Sequence, residues 1–406
     1  MIKVGLNIGN SKISSVVSDC NNYNNHKILS IVSYPTKELK KNLIINYEKL
    51  LEEIKNIITE SEKNSQTKIN SINLNIPAID SISEYYNSQF HIGDEKISDL
   101  HLKKAINQSD YYKKKDDYFE AINYIIGYEL DNKIFFSDPI GNYAEKIKVQ
   151  FYKFFLNYKY LKSMANMPKD LKLNIDNFIP SPLSSALSTL SVDEKNLGTI
   201  CIDLGHSTTS IAIFQNNYFI FADTFLVGSN NVTNDIARGV STTISSAERL
   251  KTLHGSVISS PSDEHEIIEI PIISGESNKS KQINTSTINS IIKPRIEETL
   301  EIVWQKIKQN GLNERKIKNV VITGGGSELD GISEYAEMIF SSNVRLAKPI
   351  DELGIDKNFN KPSFSDLIGT ILFNPEDFSI KYTKNQQKNQ KKPSFSRFFS
   401  WIDQYI

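Results

Sequence analysis

Residues 200–214 read ICIDLGHSTTSIAIF, and residues 4–18, VGLNIGNSKISSVVS, carry the same pattern 196 positions earlier. In the later stretch Ile200, Ile202 and Leu204 alternate with Cys201 and Asp203, as a strand does when one face is covered. A tight turn at Gly205-His206-Ser207 follows, and residues 211–214 and 218–221 complete a meander. The earlier stretch matches it. Ile2, Val4, Leu6 and Ile8 alternate, Gly9-Asn10-Ser11 turns, residues 13–17 make a second strand, and residues 28–32 make a third after an Asn-rich turn. Asn7 and Asp203, Gly9 and Gly205, and Ser11 and Ser207 share the one offset. A single Gly-Xaa-Ser turn is commonplace, but two whole strand-turn-strand units in register predict two like-folded halves facing each other.

Outward from the first copy, Leu50, Leu51, Ile54, Ile57 and Ile58 fall at helical spacing, and Ile72, Leu74 and Ile76 alternate again before Pro77. Interleaved strands and helices predict an α/β fold. Residues 80–160 read as an insert forming a small domain, with a helix near 98–109 and aromatic-rich strands over 118–128 and 146–155. Beyond the second copy, residues 235–255 and 283–309 are amphipathic helical stretches flanking a strand-like segment at 267–273.

The 406 residues allow two to three domains at roughly 150 residues each. With 47 Lys and Arg against 48 Asp and Glu, no chain-wide basic field exists to hold nucleic acid. Cys20 and Cys201 are too few for a disulfide framework or a Cys-based zinc site, and this economy is expected in the reducing cytoplasm. The opening MIKVGLNIGN lacks the apolar core of a signal peptide, and no run of about 18 apolar residues predicts a membrane-spanning helix. Attachment to a membrane by other means stays open.

Three stretches carry chemistry. A strand ending in Asp203 and followed by Gly205, His206, Ser207 and Thr208 presents backbone N–H groups and hydroxyls suited to triphosphate oxygens. Its counterpart after Asn7, formed by Gly9, Asn10, Ser11 and Lys12, adds an ammonium as a point charge for phosphate. Either loop alone is an ordinary turn; on facing halves they make a clamp. The third stretch, Val320-Val321-Ile322-Thr323-Gly324-Gly325-Gly326-Ser327, runs a buried-type strand into glycines whose missing Cβ atoms let a flat ligand lie on backbone, ahead of a helix expected near Glu328. Glu248 and Lys251, three apart on one helix face, are candidates for ribose hydroxyls and the adenine side.

The end of the chain is a separate signal. Residues 381–392 hold five Lys and no acid, which reads as a solvated linker. At 100° per residue, Phe395, Phe398, Phe399, Trp401, Ile402, Tyr405 and Ile406 fall within an arc of about 160°, with Ser396, Arg397, Ser400, Asp403 and Gln404 opposite. This pattern predicts an in-plane interfacial helix, with the linker lysines meeting anionic headgroups.

In this order, the two loops, the Val-Ile-Thr-Gly-Gly-Gly run, the Val232–Ala237 stretch, the Glu248/Lys251 helix and the Lys293-Pro294-Arg295 helix resemble the actin-like ATPase superfamily, and within it the FtsA family of bacterial cell-division proteins. The likeness runs essentially end to end. It implies a duplicated ribonuclease H-like fold, with a first core from residues 1–80 and 161–195, an FtsA-type insert at 81–160, a second core from 196–228 and 315–380, and a subdomain at 229–314. A linker at 381–394 and a membrane-targeting helix at 395–406 complete the expectation.

The resemblance implies ATP and Mg2+ as cofactors. Gly9, Asn10, Ser11 and Lys12 would meet the phosphates from one side and Gly205, His206, Ser207 and Thr208 from the other, with Asp203 orienting magnesium through its water shell. Glu248 and Lys251 would face the ribose, and Gly324, Gly325, Gly326 and Ser327 the adenosine. Arg295 and Glu298 would lie on the surface that receives the FtsZ C-terminal tail. Two departures stand out: the family generally has a carboxylate where Asn7 stands, and a Gly-Gly-Gly-Thr loop with a later Asp where this chain has Gly205-His206-Ser207-Thr208 and Ser210. Less charge near magnesium implies at most slow hydrolysis.

The expected function is to tether FtsZ filaments to the inner face of the cytoplasmic membrane at the division site. Self-association into filaments and contact with other division proteins are further expected. A PilM-type pilus-assembly protein would share the loops and the insert without needing the tail. A small-molecule kinase would need a carboxylate base in the cleft, and the sequence nominates none.

Overall fold

The computed structural model describes residues 1–380 except 22–24, 108–114, 136–137, 272–279, 311, 313–316, 318 and 351–352. The expected linker and terminal helix therefore lie outside the described residues.

The first repeat copy forms β1 (Ile2–Ile8), β2 (Lys12–Asn21) and β3 (Asn25–Pro35). A short hairpin, β4 (Leu39–Lys40) and β5 (Leu43–Ile44), leads to helix α1 (Tyr47–Ser65) and strand β6 (Ser71–Ile76). α1 starts where the Asn46 side chain accepts the Lys49 N–H at 3.1 Å, and it buries Leu50, Ile54, Ile57 and Ile58, four of the five residues its periodicity singled out, with Leu51 half-buried. Next come β7 (Ile82–Lys96), α2 (Asp99–Asn107), β8 (Tyr118–Leu130), β9 (Lys133–Phe135) and β10 (Tyr143–Asn157). α3 (Tyr158–Asp170), β11 (Asn174–Pro180), α4 (Ser181–Thr189) and α5 (Val192–Leu197) return the chain to the second copy.

The second copy forms β12 (Thr199–Leu204), β13 (Thr209–Gln215) and β14 (Tyr218–Phe225). Helices α6 (Ser229–Gly239) and α7 (Ile244–His254), the hairpin β15 (Ile267–Pro271) and β16 (Ser280–Asn284), and helix α8 (Thr285–Gln309) follow. The rest is β17 (Asn319–Thr323), α9 (Ile332–Phe340), β18 (Asn343–Leu346) and α10 (Ser365–Leu372).

Two five-stranded sheets result, ordered β3-β2-β1-β6-β11 and β14-β13-β12-β17-β18. In each, the meander pairs antiparallel and the last two strands join parallel to its first strand. The sequence repeat is thus a repeat of topology. One core gathers Leu6, Leu50, Leu74 and Leu183, the other Ile202, Ile236, Ile292 and Leu300. A third sheet, β7-β10-β8-β9, rests on the β14 edge, where Tyr124 donates to the Phe219 carbonyl at 2.6 Å and Ser83 to that of Ala222 at 3.2 Å.

Several sequence expectations shift. The stretch 235–255 is two helices, because Ser241 takes φ +52° and the Thr243 side chain accepts the Ser246 N–H, starting α7 afresh. The helix expected near Glu328 begins at Ile332; Gly325–Glu328 forms a 3-10 turn instead. β7 was not anticipated. α10, expected with the second core, packs on β1, β2 and β6 of the first sheet, burying Leu367, Ile368 and Ile371 against Val16.

Candidate functional site

The facing turns open onto one cleft of about 380 Å³. Each turn closes with the same backbone bond, Gly9 N–H to the Lys12 carbonyl at 3.0 Å and Gly205 N–H to the Thr208 carbonyl at 2.9 Å. Among the described residues no hydrogen bond uses the N–H groups of Asn10, Ser11, His206 or Ser207, all of which line the cleft. Two pairs of open donors, one from each half, suit an anionic ligand held between them.

Side chains sort into those that face the cleft and those the fold has already engaged. Lys12 lines it, its ammonium 3.3 Å from Ser363 Oγ and 3.3 Å from the centre of the Phe364 ring. Burial pulls this ammonium down to about 8, against the opposing pull of Asp366. Asn10 is different: its amide and that of Asn42 bond reciprocally, with Nδ2 to Oδ1 at 2.7 Å and the Asn42 N–H to Asn10 Oδ1 at 2.8 Å. The Asn10 side chain is thus tied to Asn42, and its backbone N–H is open to a ligand.

Asp203, one residue before the end of β12, lines the cleft, its Oδ2 accepting from Ser185 Oγ on α4 at 2.5 Å. Burial, and then the charge of Asp366, push its carboxyl above the usual aspartate value. Ser210, where the family pattern has a later Asp, is buried and shares a hydrogen bond with Thr224 at 2.9 Å. His206 is held below its usual value by burial and by the Lys251 charge, so it contributes a neutral ring at pH 7.

Glu248 and Lys251 pair at 2.8 Å, and Thr233 donates to the same Glu248 Oε2 at 2.5 Å. Burial alone would raise the Glu248 carboxyl, but these bonds win and keep it ionised. Its Oε1 remains available to accept from a ligand hydroxyl.

The three glycines divide. Gly324 sits at φ +85°, and a Cβ there would fall 2.1 Å from Asp203 Oδ1, so the fold itself requires glycine. At Gly325 a Cβ would meet nothing closer than Ser363 Cβ at 3.5 Å, an ordinary contact, so its bare backbone is open to a ligand. Ser327, expected to contact adenosine, is buried; its hydroxyl closes the turn on the Gly324 carbonyl at 2.7 Å.

Arg295 and Glu298 lie outside the cleft. Arg295 bonds Asp235 on α6 at 2.5 Å and also bonds Glu298. Sequence reasoning missed Asp366, which lines the cleft from α10, and Asn42, Ser185 and Ser363 around it. The residues Phe395, Phe398, Phe399, Trp401, Ile402, Tyr405 and Ile406 lie outside the described residues. Among the described residues no helix is long and apolar enough to cross a membrane.

A magnesium–nucleotide ligand suits this donor set. Two carboxylates, Asp203 and Asp366, share a partly buried part of the cleft with the Lys12 ammonium, and burying them without a further cation is costly.

The family model for cell division protein FtsA matches residues 200–369. A cell division protein FtsA from Agrobacterium fabrum is 29% identical over 349 residues, covering 86% of this chain and 79% of its own. Among solved structures, the PilM-PilN type IV pilus biogenesis complex aligns with TM-score 0.62 at 15% identity, covering 91% of this chain and 97% of that one. MreB5 of Spiroplasma citri bound to ADP aligns with TM-score 0.55 at 13% identity, covering 96% and 99%. With the paired sheets, these likenesses establish the actin-like fold.

Proposed function

We propose that this chain is an actin-like protein of the FtsA family, that it binds ATP with Mg2+ in the cleft, and that it joins a filament system to the membrane during cell division. The observation that carries the nucleotide part is the pair of repeat-related turns, with open N–H groups at Asn10, Ser11, His206 and Ser207 and the Lys12 ammonium between them. The phosphates would lie there, the ribose against Glu248 and Lys251, and the adenosine over Gly325. Magnesium, when bound, would neutralise charge on the phosphates, and Asp203 would hold it through its water shell. Asn7 and Ser210, in place of acids, support slow turnover.

The partner would be the FtsZ C-terminal tail, received near Arg295 and Glu298, and the surface an anionic membrane on the cytoplasmic face at the division site. Phe395 to Ile406 would supply the anchor. One short helix binds reversibly, so self-association into filaments would multiply the attachments, and the assembly would recruit other division proteins. The division of the chain into two cores, an insert at 81–160, a subdomain at 229–314 and a tail is part of the same proposal.

The PilM structural likeness favours a second reading, a pilus-assembly protein that uses the same cleft without an anchor. Co-sedimentation with FtsZ and anionic liposomes, with and without ATP, separates them. Recovery of the chain with both supports the division reading, and its failure to bind either overturns it.

A further inference from the structure

The two repeat copies differ at one chemically decisive position: β12 carries Asp203 one residue before its end, while β1 carries Asn7 at the matching place. The first half nevertheless does not lack a carboxylate. Asp366 Oδ2 lies 2.6 Å from Asn7 Nδ2, one hydrogen bond away from where the repeat would put an acid. We propose that Asp366 supplies the second carboxylate of the Mg2+–ATP site, relocated from β1 to the first turn of α10. The inference deepens the proposed nucleotide function and rests on it.

The position of Asp366 is fixed from several sides. Its backbone carbonyl accepts from Ser184 Oγ at 2.6 Å, and that of Ser365 accepts from Ser188 Oγ at 2.7 Å, both from α4. Farther along α10 the Thr370 carbonyl accepts from Asn73 Nδ2 at 2.9 Å, and Gly5 leaves room for Thr370, whose Oγ1 would lie 1.8 Å from a Cβ on β1. The carboxylate is therefore carried on a helix seated directly on the strand that lost the charge. It lines the cleft together with Lys12 and Asp203.

The surrounding amides are arranged around a charge. Asn7 Nδ2 donates to Asp366, and Asn75 Nδ2 donates to Asn7 Oδ1 at 3.2 Å and reaches Asp366 Oδ2 at 3.4 Å. An aspartate at position 7 would set two carboxylates in contact, so Asn7 and Asp366 form a matched pair in which one acid is permitted. Asn75, only 2% exposed, keeps Oδ1 without a hydrogen-bond partner. A donor on that side, such as a water of a hydrated cation, would satisfy it.

Binding of a fluorescent ATP analogue, titrated with and without Mg2+, tests the assignment on the full chain, and Mn2+ binding followed by water proton relaxation gives a readout independent of hydrolysis. Asp366→Asn is expected to lose about 10- to 100-fold of the affinity gain that Mg2+ brings, with Mg2+-free binding retained as the sign of a folded cleft. The exchange Asn7→Asp with Asp366→Asn is expected to recover most of that gain. If Asp366→Asn keeps the full Mg2+ gain, or the exchange recovers none, the assignment falls while nucleotide binding by the parent stands. If the parent binds no nucleotide with or without Mg2+, the nucleotide reading and this inference fall together.

Discussion

Arg295 Nε donates to Asp235 Oδ2 across 2.5 Å, tying α8 to α6. The cation proposed for a partner's carboxylate already holds two from its own chain, Asp235 and Glu298. A partner acid must therefore compete with Asp235 or join it. Asp235→Asn is expected to strengthen binding of an FtsZ tail peptide and Arg295→Glu to weaken it, read by fluorescence anisotropy. The internal pair itself is worth about 1 kcal/mol at this degree of exposure, so Arg295→Ala should lower the melting temperature only slightly.

Gly325 and Gly324 should part company under the same substitution. Gly325→Ala adds a Cβ in ordinary contact with Ser363 and is expected to fold normally while losing nucleotide affinity. Gly324→Ala must hold φ +85° against Asp203, a strain of about 1–3 kcal/mol before the clash is counted. Thermal melts beside nucleotide titrations separate the two outcomes.

Lys12 predicts a proton linkage. Its folded value is about 8 against 10.5 ordinarily, so the unfolded chain binds more protons between those values and this group adds stability as pH rises through that window. Phosphate oxygens beside the ammonium raise it again. Nucleotide binding just above pH 8 should therefore take up protons, seen in calorimetry as a dependence on buffer ionisation enthalpy, and Lys12→Gln should abolish the uptake.

Glu194 caps α5 and pairs with Arg345 at 2.5 Å. Burial would raise its carboxyl, yet the hydrogen bonds from Arg345 and Ser191 prevail and hold it below 4.5. Its contribution is then present above the unfolded value and lost as pH falls through the folded one. Glu194→Gln is expected to cost about 1 kcal/mol at pH 7, discounted for the exposed Arg345, and the difference from the parent should close in acid, measured by urea unfolding.

For the tail, Trp401→Glu or Phe398→Asp should release the protein from anionic liposomes and leave nucleotide binding intact. Each large apolar side chain contributes at most about 1.5–3 kcal/mol, so one charge in the apolar arc is enough to tip a short helix. A chain ending at Lys381 that floats as well as the parent would place the anchor elsewhere.

The duplicated sheets were legible because alternation and turns are local signals, readable within a dozen residues of Ile2 and of Ile200. β7 was not, since its exposed residues Tyr85, Asn87, Gln89 and His91 leave little apolar rhythm. The break between α6 and α7 had a readable sign in Gly239 and the Thr242-Thr243 pair, which caps as well as it continues. Asp366 had none: its partner Asn7 is 359 positions away, and only the docking of α10 on β1 brings them together. Ser327 misled for the opposite reason. A glycine run announces a bare surface, but nothing in it tells that the next hydroxyl turns inward to close the loop.

The crossing of α4 and α10 has the geometry of an axle. A Cβ at Gly369 would fall 1.8 Å from the Ser184 carbonyl oxygen, so the two backbones touch with no side chain between them. α4, which packs on β6 and β11 and sends Leu183 into the first core, also packs on β12, β13 and β17, while α10 comes late in the chain and packs on β1, β2 and β6. Both halves thus hold α4, and the first sheet also holds a helix from late in the chain. Sliding one past the other would tear the Ser184 and Ser188 bonds to α10, whereas a small swivel about the contact preserves them. Asp203 holds α4 through Ser185, and Asp366 is part of α10, so both acids sit close to this axle, where a swivel displaces them least.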